Sequence, residues 1–327
     1  VDNLLYSDPV PISSSFSSVY QNIGSLKNRG VEFDVRVDIV KNSQKDLTWN
    51  VDFNIARNRT TLEKLNSSDG YFGGGAYDYF KIEEGGETGR FYGYKDAGRL
   101  FMTNEELVGL KTVDPKTGTL KYYRDDYNYE RQGDVYIMDL DGDGQITADG
   151  DRTVIGNANP DFTLGWTNTF SWKGLVLSLL VDGRYGGKVL SQTQADMDMY
   201  GVTKVTGDAR DKGYVMLEGE KITNVKGFYK SIVGGRAGVT EYYMYDATNF
   251  RLRELALGYT FPKRWMEATK FFRDVQLAFT ARNLFFIYKE APFDPDLILS
   301  TGNDNQAIEV YGMPTTRSMG FSLRVMF

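Results

Sequence analysis

Two stretches decide the fold: Val31-Glu32-Phe33-Asp34-Val35-Arg36-Val37-Asp38-Ile39, and Leu47-Thr48-Trp49-Asn50-Val51-Asp52-Phe53-Asn54-Ile55, joined through the polar turn Asn42-Ser43-Gln44-Lys45-Asp46. Successive side chains of a strand point to opposite faces, so a period of two separates them. Here the separation is complete. One face carries Val, Phe, Ile, Leu and Trp; the other carries Glu, Asp, Arg, Thr and Asn. The two runs form an antiparallel hairpin with one apolar and one polar face.

The pattern recurs downstream. Phe162, Leu164, Trp166, Phe170 and Trp172 share a face, and the turn Lys173-Gly174 leads to Leu175, Leu177, Leu179 and Val181. Leu255, Leu257, Tyr259 and Phe261 pair with Val275, Leu277, Phe279 and Ala281. The last run places Arg317, Met319, Phe321, Leu323, Val325 and Phe327 on one face. Connections near 41–46, 173–174 and 262–274 are short. Those near 58–161, 187–249 and 288–314 are long and rich in Gly, Asp, Tyr and Lys. Short and long connections in alternation point to an all-β, antiparallel up-and-down transmembrane β-barrel, with short turns on the periplasmic side and long loops outside. A hairpin around 79–95 and a capped helix start at Thr103-Asn104-Glu105-Glu106-Leu107 are expected inside the first long connection.

These runs give about 7–9 strands, beginning outside and ending at Phe327 on the periplasmic side. An odd count cannot close with both ends in the periplasm, and an open edge in lipid leaves backbone groups unpaired. The expectation is the C-terminal portion of a larger barrel, residues 1–327 forming one part of its wall. The other reading of the same alternation is a soluble calcium-stabilised all-β binding or adhesion module, built as a sandwich. Large residues on the apolar face and aromatics near strand ends favour the barrel.

Composition removes other classes. The 327 residues contain no Cys and no His. Disulfides, Cys or His metal sites, thiol nucleophiles and His general bases are therefore out of reach. A barrel enzyme such as an outer-membrane esterase is disfavoured on the same ground, and no catalytic residue is expected. A net charge of −6 argues against a nucleic-acid groove. The longest largely apolar run, Gly174 to Val181, is too short for a membrane helix. The 35 Gly, 22 Tyr and 20 Phe against 8 Pro suit strands and turns.

With the strands laid out, particular strings resemble SusC/RagA-like TonB-dependent outer-membrane transporters. They are Gln21-Asn22-Ile23-Gly24-Ser25-Leu26-Lys27-Asn28-Arg29-Gly30-Val31-Glu32-Phe33, Asn54-Ile55-Ala56-Arg57-Asn58, Phe91-Tyr92-Gly93-Tyr94 and Gly133-Asp134-Val135-Tyr136. Further matches are Ile155-Gly156-Asn157-Ala158-Asn159-Pro160-Asp161-Phe162, Arg251-Leu252-Arg253-Glu254-Leu255, Ala281-Arg282-Asn283-Leu284-Phe285 and the terminal aromatic Phe327. The resemblance implies a barrel of about 22 strands, of which this chain is the C-terminal part. It implies import of glycan fragments or peptides, a SusD-like surface lipoprotein as lid, TonB acting through an N-terminal part, a plug, and a dimer of the complex in the bacterial outer membrane. The family's signal peptide, N-terminal extension, TonB box and plug have no counterpart in these residues.

Four groups of residues are candidates for binding. Asp139-x-Asp141-x-Asp143-Gly144-Gln145 matches the first half of an EF-hand-type loop, in which three carboxylates and a backbone carbonyl at Gln145 converge on Ca²⁺. Position twelve is Gly150, so Asp151 is the expected closing ligand. Without an ion the loop is an acidic surface turn. Arg251 and Arg253 share a parity with Leu255 and Leu257, which places them at headgroup level, where they could meet lipid or lipopolysaccharide phosphates; a solvated strand end is the alternative. Glu32, Asp34, Arg36, Asp38, Asn50, Asp52, Asn54, Thr280, Arg282 and Arg324 face the lumen, for solute, plug or one another. Tyr71, Phe72, Tyr77, Tyr79, Phe80, Tyr242, Tyr243 and Tyr245 could stack on sugar rings, with loop packing or lid contact as the competing roles.

Overall fold

The computed structural model describes residues 4–9, 18–65, 71–73, 80–100, 111–113, 120–122, 135–143, 150–217, 219–233, 240–269, 271–298 and 306–327. Eight antiparallel strands form its principal sheet: β1 (Leu4–Pro9), β2 (Ser18–Asn42), β3 (Leu47–Leu65), β4 (Phe162–Trp172), β5 (Leu175–Tyr185), β6 (Asn249–Thr260), β7 (Asp274–Lys289) and β8 (Ser318–Met326). They pair in chain order, each with the next. All seven strands expected from the alternation are present. The eighth, β1, is short and carries no clean alternation in Leu4-Leu5-Tyr6-Ser7-Asp8-Pro9, so periodicity could not find it. Among the described residues β1 and β8 pair only with β2 and β7, and the sheet has two free edges.

Register aligns the apolar residues into rows across the sheet. Trp49, Phe170, Leu177, Leu257, Phe279 and Phe321 stand opposite one another in successive strands. Leu47, Trp172, Leu175, Tyr259, Leu277 and Leu323 form the next row. Much of this face is uncovered: Phe33 is 55% exposed, Trp166 45%, Leu323 66% and Phe321 79%. A sheet that shows water this much large apolar surface on one face would aggregate; the same face in hydrocarbon is solvated. One polar residue interrupts it. Asn168 falls on the apolar face, and the Trp49 indole N–H donates to its Oδ1 at 3.2 Å, so the amide carries its own partner.

The turns explain the hairpins. Lys173 and Gly174 both have positive φ, 49° and 87°, which matches a two-residue turn to the right-handed twist of the flanking strands. Between β6 and β7 the helix α4 (Lys263–Thr269) lies under the sheet end. Aromatic rings gather there: Phe271 and Phe272 pack on Phe327, at 5.1 and 5.9 Å between centroids, and Phe261 meets Tyr259 edge-on and Trp265 at a tilt. This is the expected composition of a membrane–water interface.

At the opposite end the strands continue well past a bilayer. A tilted strand needs about 9–11 residues to cross hydrocarbon. β2 has 25 and β3 has 19, so their upper halves form a tall polar blade, tied by Lys27–Glu63 and by Arg59 to Asp161 at 2.6 Å. Described parts of the long connections bond to it: Leu62 N–H donates to the Gly86 carbonyl and Thr88 N–H to the Thr60 carbonyl, both at 3.0 Å. The hairpin expected near 79–95 exists, but Phe80–Ile82 and Arg90–Gly93 join Tyr71–Gly73 and Thr153–Asn157 in a separate four-stranded sheet, adding nothing to the wall. Helices α1 (Gln192–Met199), α2 (Lys204–Lys212) and α3 (Val225–Val233) cover it. The hydrophobic core of the described chain lies in this cap, with Phe91, Leu190, Phe228, Ile232 and Ile308 each 5% exposed or less. The helix start expected at Thr103–Leu107 falls outside the described residues. No described helix is long and apolar enough to cross a membrane.

Leu257 stands in the middle of the lipid-facing rows. In the complete barrel refolded into vesicles, Leu257→Arg is expected to cost about 2–4 kcal/mol of unfolding free energy. Thr280→Arg on the polar face is expected to cost far less. Equal costs would mean that the apolar face is not in hydrocarbon.

Candidate functional site

The site region is the mouth of the wall on its polar side, where β4–β7 meet the cap. Lower down, the lumen-facing residues neutralise one another across strands. Arg36 donates to Asp52 at 2.8 Å, Asn50 bonds Asp38, and Arg282 donates to Glu254 at 2.8 Å. Asn54 lies over Gly165, where any Cβ would meet its amide at 2.9 Å. The polar face therefore solvates and pairs itself, which is the plainer of the two roles expected for it.

At the mouth the period of two of β6 fails at Arg253. On the β5 side Leu180 pairs with Glu254 and Val181 with Leu252, leaving Arg253 as an extra residue; on the β7 side the register shifts at the same place. This is a β-bulge, which inverts the facing of everything beyond it. Arg251 consequently stands opposite Asp182 on the polar side, 1% exposed. The lipid-phosphate role expected for Arg251 and Arg253 is therefore incorrect, because that parity was extended through a bulge. The bulge itself is stabilised by Asn283, whose φ of 52° kinks β7 and whose Oδ1 accepts from Arg253 Nη1 at 3.1 Å.

Turned inward, the two arginines hold the segment 290–298 against the wall. Arg251 Nη2 bonds Asp296 and reaches Asp294 Oδ1 at 3.5 Å, while its guanidinium lies 4.5 Å over the Phe286 ring. Arg253 Nε donates to Asp182 Oδ2 at 2.7 Å and its Nη2 approaches Asp296 at 3.4 Å. Asp294 also accepts from the Thr315 hydroxyl. Of this network, sequence reasoning singled out only the arginines. The alternating acids in Asp294-Pro295-Asp296 were the available signal.

A second clamp fixes α1. Glu309, 4% exposed, accepts from Ser191 Oγ at 2.6 Å and Thr193 Oγ1 at 2.7 Å, and Tyr311 donates its hydroxyl to Asp196 at 2.5 Å. Ser191 is also the helix N-cap, accepting from Gln194 N–H. Burial raises the Asp198 carboxyl above its usual range, against hydrogen bonds from Thr203 and Gln194. Burial, with the nearby Asp198 charge, pushes the Tyr245 hydroxyl up to about 12 and Tyr243 higher still. These phenols stay neutral at any physiological pH.

The aromatic candidates resolve toward packing. Phe80 is 3% exposed and stacks on Phe91 at 4.6 Å; Tyr243 is 3% exposed; Tyr245 meets Phe293 edge-on at 5.4 Å; Tyr242 donates to Asp96 at 2.5 Å. Phe80 and Tyr243, so buried, offer no face to a sugar, and the half-buried Tyr242 and Tyr245 are engaged with Asp96 and Phe293. Tyr77 and Tyr79, and the side chains of Tyr71 and Phe72, lie outside the described residues.

The structure brings three of the expected metal ligands together. One carboxylate oxygen from each of Asp139, Asp141 and Asp143 lies within 4.8 Å of the others. Gly142, with φ 73°, allows the sharp turn, and its N–H donates to Asp139 Oδ1 at 2.8 Å. Asp151, the expected closing ligand, is fully buried and accepts from Leu140 N–H at 2.8 Å, and its carboxylate is not among the three that converge. Gln145 lies outside the described residues.

With this geometry in place, the chain can be compared with known proteins. No family model matches it. It is 28% identical over 94% of its length to TonB-dependent receptor P39 of Formosa agariphila, and 28% identical over its whole length to TonB-dependent receptor P3 of the same organism. To TonB-dependent receptor SusC of Bacteroides thetaiotaomicron it is 24% identical over 90%. The chain spans 30%, 31% and 27% of the lengths of these relatives. Among solved structures it superposes on the RagAB peptide importer in the closed-closed state with a TM-score of 0.66, at 20% identity, covering 99% of this chain and 32% of that one. For the open-open state the TM-score is 0.65, at 20% identity and 100% and 31% coverage.

Arg251→Met would leave Asp294 and Asp296 without their buried cation, a loss of about 3–5 kcal/mol for a broken buried pair. Faster amide exchange across 290–298 is the expected readout. Unchanged exchange there would mean that the segment is held by other contacts. By sequence along essentially its full length, and by fold, the chain is similar to the SusC-like TonB-dependent receptors and has the architecture of a fragment of their barrel.

Proposed function

We propose that these residues form the C-terminal part of the barrel wall of a TonB-dependent outer-membrane importer for glycan fragments or peptides. The observation that carries this reading is the pairing of opposite faces: continuous lipid-suited rows outside, a self-neutralising polar face inside. The relatives are named as receptors, and the RagAB neighbour as a peptide importer, so transport without chemistry on the solute is the function assigned. The free edges at β1 and β8 join the remaining barrel strands, and a plug occupies the lumen. TonB acts through the N-terminal part, and lipid and lipopolysaccharide surround the wall.

A SusD-like lipoprotein is assigned as the lid over the cap. The cap carries an apolar patch for such a partner: Met197, Tyr200, Val202 and Val205, the last three at least 60% exposed, at the α1–α2 junction. The complexes pair as dimers. In a host strain, deleting the gene or its TonB is expected to abolish uptake of the transported oligomer, with the protein in the outer-membrane fraction. Uptake that persists without TonB, or a protein monodisperse in buffer without detergent, would overturn the assignment.

The loop 139–151 is assigned a structural calcium ion, held by carboxylates of Asp139, Asp141 and Asp143, the Gln145 carbonyl and Asp151. The fit is geometric. Oxygens on opposite sides of a calcium, each bonded at about 2.4 Å, lie about 4.8 Å apart, and the three carboxylate oxygens fall within that span. Their mutual repulsion is offset by a cation. Calcium is expected to protect the loop from protease nicking near 139–151, and chelator to expose it. Identical nicking in both would remove the ion from this account.

A further inference from the structure

Beneath the cap, on the polar side of the wall, lies a recess of about 470 Å³ lined by Asn159, Asp182, Arg184, Arg253, Asp296 and Gln306, among others. Its four charged side chains are two guanidiniums and two carboxylates. The recess therefore selects neither a cation nor an anion, and suits a dipolar ligand that donates and accepts in turn. Part of its hydrogen-bonding capacity is used internally: Arg253 takes Asp182 Oδ2, and Arg184 Nη2 donates to the Ala158 carbonyl at 3.0 Å. Two atoms are left over. Asp182 Oδ1 and Arg184 Nε are buried with no partner among the described residues. They sit two residues apart on β5, on one face of the strand. A buried orphan donor and a buried orphan acceptor are each costly, and a ligand that draws either side chain toward the recess can satisfy both.

We propose that this recess is a solute subsite that takes the main chain of a short peptide, the peptide C=O accepting from Arg184 and the peptide N–H donating to Asp182. The proposal rests on the importer reading and narrows it. An extended peptide presents N–H and C=O groups along its length at about the spacing of a strand, 3.3 Å per residue. A sugar ring, in contrast, gains much of its affinity from a flat aromatic platform, and among the described residues none that lines the recess is aromatic. Ile298, which also lines it, supplies an apolar wall for a small side chain.

The test uses the complete transporter in detergent. This chain has no cysteine, so Ile298→Cys gives it one thiol, at the recess, and labelling is read on the proteolytic fragment that carries residue 298. Tetra-alanine is expected to slow maleimide labelling of that thiol, and maltotetraose to leave it unchanged. Arg184→Met, checked for folding by the heat-modified mobility of the barrel, is expected to weaken tetra-alanine binding at least tenfold. Unchanged affinity in Arg184→Met overturns the proposal. So does a thiol at 298 that cannot be labelled without ligand, since the space would then be filled by protein. Protection by maltotetraose in place of tetra-alanine would reject the peptide class and leave the importer reading intact. Loss of the importer reading would show separately, as TonB-independent behaviour in cells.

Discussion

Hydrocarbon offers backbone groups no hydrogen-bonding partner, and the rest of the molecule is arranged around that fact. Each N–H and C=O in the wall must be met by a neighbouring strand, so the chain crosses as a sheet or not at all. Once it is a sheet, side chains have two destinations and a period of two. The rows Trp49–Phe170–Leu177–Leu257–Phe279–Phe321 and Leu47–Trp172–Leu175–Tyr259–Leu277–Leu323 follow from this, as does their exposure. What would be a core in a water-soluble protein is here the outer surface. The wall keeps no apolar interior, and the packed core moves into the cap, where Phe91, Leu190, Phe228 and Ile308 close on one another.

This division decided what was legible in the sequence. Seven of the eight strands could be read because lipid on one side and water on the other enforce strict alternation, as in Val31–Ile39 and Leu47–Ile55. β1 was unreadable because its six residues lie at an edge and alternate poorly. Beyond the hairpin near 79–95 and the helix start at 103–107, the cap was read as long loops. Its helices are short, and α1 has no apolar stripe; its stability comes from Ser191, Thr193 and Glu309, which are far apart in sequence. A contact between residues 191 and 309 leaves no periodic trace in either.

The candidate sites divided along the same line. The triad Asp139, Asp141 and Asp143 was visible because its spacing is local, and its carboxylates do converge. The aromatic loops were visible as composition, but composition does not say whether a ring faces solvent, and Phe80 and Tyr243 face the core. The arginine pair was found and misplaced. A bulge is one residue long and carries no signature beyond the stretch Leu252-Arg253-Glu254 itself. Its evidence lies in the neighbours, in the pairing of Leu180 with Glu254 and Val181 with Leu252.

That single extra residue gives β6 two phases. Below Arg253 its odd positions belong to the bilayer; above it, its even positions do. Losing that residue would close the strand into unbroken alternation, with Leu252 still opposite Val181 and Arg251 still opposite Asp182; flattening the bulge with every residue kept would instead rotate the upper half by a half-period, sending Arg251 into lipid and Leu252 into the mouth. Substitution at Arg253 and deletion of Arg253 are thus events of different kinds. The first alters one side chain and keeps the bulge, and the second removes the bulge while leaving the facing of every residue from Asn249 to Leu252 unchanged. The bulge thus absorbs one residue of length, and the facing of the mouth depends on that absorption and not on the residue count of the strand.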